Sequence, residues 1–345
     1  MKGKTILLAG VAAAVMATAA APANAAEWWE NTSINGRMYY DFTYLDKKTA
    51  GVKSSDSGTS FDIKRFYVGI DHKFNDIFSA NVTTDFQYSS AIGSTEVYIK
   101  KAYLEANLSP MLDIRLGSTD MPWIPFVEGV YGYRYVENTL IDRTHFGTSA
   151  DWGVHLKGKF ANGMFEYAIS AVNGAGYKKT YRTKGIDVEG RLTAHVSDFI
   201  LAVGGYTGKL GATQNQTTYH TANRFDALAA YKAHGATIGF EYFQANNYKN
   251  VTSMTKDSSD GYSVFASYQF NPNWGVFGRY DWVNPNKDTN SKLQDNYFNV
   301  GVAYTPYKMV DFALVYKRDK QDTTTLPFSP QVTSDEIGLW GRLRW

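Results

Sequence analysis

Histidine and serine are the first residues to test for chemistry. His155 and His195 lie within regularly alternating segments, His72 and His234 lie near turns, and Ser170 is a nucleophile that folding could bring beside either of the first two. A serine nucleophile needs a base to take its proton and a third group to orient that base. Neither a nucleophile-elbow motif nor a metal-ligand spacing such as HExxH occurs, and no CxxCH is present to attach haem. No catalytic residue, cofactor or metal is therefore expected, and a lone His or Ser reads as a polar lining residue.

The second kind of chemistry is ion discrimination, and its residues are abundant. Arg37, Arg65, Lys101, Arg115, Lys157 and Arg191 share the polar face of alternating segments with Asp41, Asp71, Glu105, Asp113, Asp187 and Glu189. Glu128, Arg134, Glu137, Asp142 and Arg143 lie in one stretch, Asp120 to Ala150, which lacks Lys. Rows of charge facing each other across a narrow aqueous passage select ions. The rows nearly balance in sign and salt screens beyond about 8 Å, so the preference expected is weak. It should favour anions slightly, because Arg keeps its charge while neighbouring carboxylates can pair or take up a proton. The competing expectation is that these charges only pin the long stretch to a wall.

The elements that carry these residues alternate with a period of two. Ile34, Gly36, Met38, Tyr40, Phe42 and Tyr44 oppose Asn35, Arg37, Tyr39, Asp41 and Thr43, and the same pattern recurs to the end of the chain. About sixteen such strands are expected, joined by turns that are alternately short and long, which is the pattern of a transmembrane antiparallel β-barrel. The aromatic share of 15% and the 30 Gly suit strands better than helices. A soluble sandwich or propeller predicts neither the strict alternation of loop length nor the absence of repeats. At that strand number the lumen holds water, so the expected function is passage. A barrel-borne lipase or protease is the rival enzyme class, and an adhesive or sheathing barrel is the rival structural class.

Asp120 to Ala150 breaks the alternation. It is rich in Trp, Phe, Tyr and Val, too apolar for disorder, and is expected to pack inside the barrel. Lys64 and Lys100 fall on the nominal lipid face, where a charge near the midplane costs about 2 to 4 kcal/mol. Snorkelling, a subunit interface or a β-bulge would each accommodate them.

The amino terminus has Lys2 and Lys4, an apolar Ala-rich run and the sequence Ala23-Asn24-Ala25, which predicts an export leader at residues 1–25. The run is short for a membrane-spanning helix. One domain, residues 26–345, would remain. Without Lys2 and Lys4 its basic residues equal its acidic ones, and no basic patch points to nucleic acid. There is no Cys and hence no disulfide, so a large sheet must supply the stability of an exported protein.

The runs Lys64-Arg65-Phe66-Tyr67-Val68-Gly69, Lys101-Ala102-Tyr103, Ile114-Arg115-Leu116-Gly117 leading to Met121-Pro122-Trp123, Trp152-Gly153-Val154 and Asn173-Gly174 resemble the phosphate-selective (O and P type) porins of bacterial outer membranes. The likeness covers roughly Phe61 to Gly176. It implies a sixteen-stranded barrel, a homotrimer, and a third external loop folded inward as a constriction. That family's Lys cluster is missing from the long loop here, so phosphate binding does not carry over. The alternation ending on Trp345 resembles the terminal strand by which such barrels are recognised for assembly.

Overall fold

A computed structural model describes residues 25–89, 93–322 and 330–345. The expected leader lies outside the described residues apart from Ala25, which begins a short helical turn, Ala25–Glu30. Sixteen long strands follow. The first four are β1 (Thr32–Thr49), β2 (Gly58–Lys73), β3 (Phe78–Ser89) and β4 (Ser94–Ser109). Next come β5 (Leu112–Asp120), β6 (Ala150–Phe160), β7 (Phe165–Val172) and β8 (Asp187–Val196). The third group is β9 (Phe199–Gly208), β10 (Ala222–Ala233), β11 (Ala236–Asn246) and β12 (Ser258–Gln269). The last is β13 (Trp274–Asn284), β14 (Gln294–Tyr307), β15 (Val310–Asp322) and β16 (Val332–Arg344), while the pair Val52–Lys53 extends the first hairpin.

Each strand pairs antiparallel with its sequence neighbours, and β16 returns to β1 in a register that sets Arg344 opposite Arg37 and Ile337 opposite Tyr44. The ring is closed, so no backbone edge meets lipid. Trp345 completes the seam by exchanging backbone hydrogen bonds with Gly36 at 3.1 and 3.2 Å. Its indole lies over Gly36, where a Cβ would stand 1.9 Å from the ring, so only glycine fits.

Burial is inverted relative to a soluble protein. Val203, Phe240, Val300 and Leu314 are exposed on the outer face, whereas Thr193, Asp226, Glu241, Ser263 and Asp281 are buried on the inner one. Exposed apolar residues over fifteen of the sixteen long strands are unstable in water and stable in hydrocarbon. The turns at one rim are tight, such as His234 (φ 52) and Gly235 (φ 79), both left-handed as a two-residue hairpin requires. At the other rim the connections are longer, and the third of them, residues 121–149, enters the barrel.

Two β-bulges correct the expected positions of Lys64 and Lys100. Tyr39 pairs with Arg65 but Tyr40 pairs with Ile63, so Lys64 is the extra residue. Likewise Thr83 pairs with Lys101 and Thr84 with Ile99, leaving Lys100 unopposed. A bulge lets two consecutive residues face the same side. Ile63 and Ile99 still face outward, while Lys64 reaches the buried Asp41 carboxylate at 3.2 Å and Lys100 enters the lumen. Neither lysine lies on the lipid face.

Candidate pore constriction

The third external loop folds because its apolar residues recur at helical spacing. Helix α1 (Ile124–Tyr131) has Pro125 in its first turn, buries Ile124, Val127, Val130 and Tyr131, and ends at Gly132 in the left-handed conformation (φ 82). A single turn, α2 (Leu140–Arg143), follows and buries Leu140 and Ile141. These side chains pack with Trp123 and Phe146 against Tyr206, Leu228, Phe243 and Phe265 of the wall. Tyr135 and Val136 pack against Phe277, Val315 and Trp340.

Polar anchors set the depth of the loop. The Trp123 amide donates to Glu189 and its indole N–H to Glu241, both at 2.9 Å, and Arg191 donates to the Pro122 carbonyl at 2.9 Å. Arg143 reaches Asp281 at 3.0 Å, Asp295 at 2.8 Å and Asp319 at 3.4 Å. Arg279 donates to the Asn138 carbonyl at 2.6 Å, and Lys317 meets Glu137 at 3.3 Å. Burial alone would raise the Glu137 carboxyl, but Lys317, the Asn138 amide, Arg143 and Arg279 outweigh it and hold the group below its ordinary value. All these partners stand on β8, β11, β13, β14 and β15. The opposite wall, β16 and β1 to β5, carries none of these anchors.

An outer cavity of about 310 Å³ and an inner one of about 750 Å³ meet there, and both are lined by Tyr67, Lys100 and Arg134. The inner cavity is also lined by Arg37, Lys101, Arg342 and Arg344, the outer one by Arg65, Lys178 and Lys179. Most of the surrounding carboxylates are neutralised by cations; Asp71 of the inner cavity accepts only from the neutral amides of Asn35 and Asn81. Lys101 holds Asp120 at 2.5 Å, Arg134 holds Glu128 at 2.5 Å and Asp142 at 3.6 Å, Arg65 holds Asp85 at 3.0 Å, and Arg342 holds Asp311 at 2.8 Å. Four cations of the two cavities are left over, and two of them, Lys178 and Lys179 of the outer one, form no ion pair among the described residues. Arg37 donates only to the Tyr39 hydroxyl at 3.3 Å, and the Lys100 ammonium stands 4.7 Å from the Tyr67 ring centre; neither forms an ion pair among the described residues.

Among the residues expected from sequence, Arg37, Lys101, Glu128 and Arg134 share the inner cavity, and Arg65, Arg134 and Asp142 share the outer one. Glu137 and Arg143 serve as anchors. Glu128 and Asp142 do not reach toward the wall as expected but pair with Arg134 of their own loop. Arg115 and Lys157 lie apart, in a pocket of about 530 Å³ near the short turns, where Glu105 and Asp113 neutralise them. That pocket contains the His155–Ser170 pair, hydrogen-bonded at 2.7 Å, with Ser170 2% exposed. Sequence reasoning missed Lys100 as a lining residue. The signal was a slipped phase: Val97 and Ile99 face outward, then Ala102 and Leu104, three rather than two residues on.

The Gram-negative porin family profile matches residues 12–324 of this sequence. The chain belongs to the Gram-negative porin family. Solved structures agree with the fold. The anion-selective porin from Comamonas acidovorans is 12% identical with a TM-score of 0.65 over 91% of this chain and 99% of that one. The outer membrane channel DcaP of Acinetobacter baumannii is 13% identical, TM-score 0.63, over 91% and 97%. In-vitro folded OmpT of Vibrio cholerae, described in its trimer form, is 15% identical, TM-score 0.60, over 91% and 99%. No curated protein matches the chain at a significant level. Family and barrel together place this porin in the outer membrane.

Proposed function

We propose that this porin forms a water-filled channel for passive diffusion of ions and small hydrophilic solutes, with a slight preference for anions. The observation that carries the reading is the pairing pattern at the constriction: its carboxylates are paired with cations except Asp71, which only the neutral Asn35 and Asn81 engage, while Arg37 and Lys100 both keep their charge toward the lumen. A fixed cation in a narrow passage lowers the barrier to anions and raises it to cations. Phosphate then passes as one anion among several, without a dedicated site, although the Lys64 to Gly69 run resembles the phosphate-selective members. Export proceeds through a leader cleaved after Ala25, and three copies assemble as in the trimer form of the Vibrio protein.

The purified protein in a planar bilayer tests the channel directly, and a silent bilayer would refute it. Amino-terminal sequencing of the outer-membrane form should start at Ala26, and cross-linking in detergent should stop at a trimer. The enzyme reading depends on the buried His155–Ser170 pair, which has no carboxylate against the second imidazole nitrogen among the described residues. Esterase assays should find no turnover; activity abolished by Ser170→Ala would revive that reading.

A further inference from the structure

The outer approach to the constriction is lined by tyrosine rings and ammonium groups in alternation. Lys178, on the connection between β7 and β8, lies 4.4 Å from the centre of the Tyr98 ring and 5.9 Å from that of Tyr177. Lys100 then lies 5.9 Å from Tyr177 and 4.7 Å from Tyr67, and Tyr67 meets Tyr39 edge-on at 6.1 Å. The series runs from the outer cavity, lined by Lys178 and Tyr177, to the inner one, lined by Tyr39.

Its central ring is fixed by hydrogen bonds. The Tyr177 hydroxyl donates to Asp85 at 2.6 Å, its amide donates to the Ala150 carbonyl at 3.0 Å, and its own carbonyl accepts the Trp152 indole N–H at 3.0 Å. Cations outnumber carboxylates around it, Lys100, Lys178 and Arg65 standing against Asp85 and Glu96. Lys178 and Arg65 both donate to the single neutral oxygen Gln87 Oε1, each at 2.5 Å. Asp85 is occupied by Arg65 and Tyr177, and Glu96 accepts the Tyr98 hydroxyl. Two cations converging on an amide oxygen mark a place where a carboxylate binds more strongly.

We propose that this tyrosine and cation series is a binding track for aryl carboxylates, anions that carry a flat ring. The inference rests on the anion-preferring reading of the same constriction. An arriving carboxylate draws the ammonium groups of Lys178 and Lys100 away from the tyrosine faces, which frees those faces for the ring of the solute. A saturated acid of equal size makes the charge contact but gains no ring-to-ring contact. Simple anions have neither the ring nor the area to use the tyrosines.

The test uses the purified full-length porin in planar bilayers, with benzoate and cyclohexanecarboxylate as probes. The readout is the concentration of each that halves the KCl current from the external side. Benzoate should be the stronger blocker by about threefold to tenfold, and the ratio should fall toward one in Tyr98→Leu and in Lys178→Gln. Equal potency in the native chain overturns the inference and leaves the chloride preference standing. A ratio that persists in both variants also overturns it. A KCl-gradient potential on the cation side instead overturns the anion reading beneath it.

Discussion

The Lys100 ammonium stands 4.7 Å from the centre of the Tyr67 ring, on the lumen side of β4, although the preceding residue Ile99 faces lipid. The bulge makes this possible, since Lys100 is skipped in the pairing of β3 with β4 and shares its inward direction with Lys101. Lys64 beside Arg65 on β2 repeats the arrangement. Cysteine substitution tests it. Cysteines at 64 and 100 should react with a charged, water-soluble maleimide, and cysteines at 63 and 99 only with a lipid-soluble one. The reverse pattern would restore Lys64 and Lys100 to the lipid face.

Arg37 and Arg65 should contribute unequally to selectivity. Asp85 lies 3.0 Å from Arg65, whereas Arg37 has only a tyrosine hydroxyl. Arg65→Ala should therefore move the reversal potential further toward cations than Arg37→Ala, because it uncovers the Asp85 carboxylate whereas Arg37→Ala uncovers none. Equal shifts would mean that pairing does not set the field.

Arg143 is the strongest anchor of the third external loop, with three carboxylates around a guanidinium whose side chain is 9% exposed. Arg143→Ala leaves Asp295 and Asp319 facing each other without their cation, while Asp281 keeps Arg279 at 2.6 Å, and should destabilise the barrel by about 3–5 kcal/mol. Lys in its place should recover only part of that, because a point charge cannot span three partners as a planar fork does. Urea unfolding of the native and variant barrels gives the difference, and coincident midpoints would show that the loop is held by its apolar face alone.

Acid should loosen the same loop at its other anchor. The Glu137 carboxyl is held below its ordinary value of 4.5. A folded-state pKa lower than the unfolded one contributes stability above about pH 4.5 that disappears as pH falls through the folded value. Channel noise from loop motion should accordingly rise only below about pH 4.5, and Glu137→Gln should show part of that noise already at neutral pH. Identical noise in the two proteins across this range would remove Glu137 from the anchor.

Much of this barrel was legible because lipid on one side and water on the other impose a period of two on every strand. Long and short connections could be assigned to their rims on the same ground. The helices of the third external loop were not read, although Ile124, Val127 and Val130 recur at helical spacing, because the stretch was recognised by its lack of alternation. Its anchors were hidden for another reason. Arg143 finds Asp281, Asp295 and Asp319 only through closure of the barrel, and no local pattern encodes that distance. The bulges were written in the sequence as a slip in apolar phase, visible once each strand is followed through its lysine.

The central claim is that current through this porin passes a constriction where Lys100 and Arg37 leave a net positive field. The reversal potential of the native protein in a KCl gradient across a planar bilayer measures it most directly. The account predicts a potential modestly on the chloride side, moving toward potassium in Lys100→Ala. A potential on the potassium side in the native channel, or one that Lys100→Ala leaves unchanged, would contradict it.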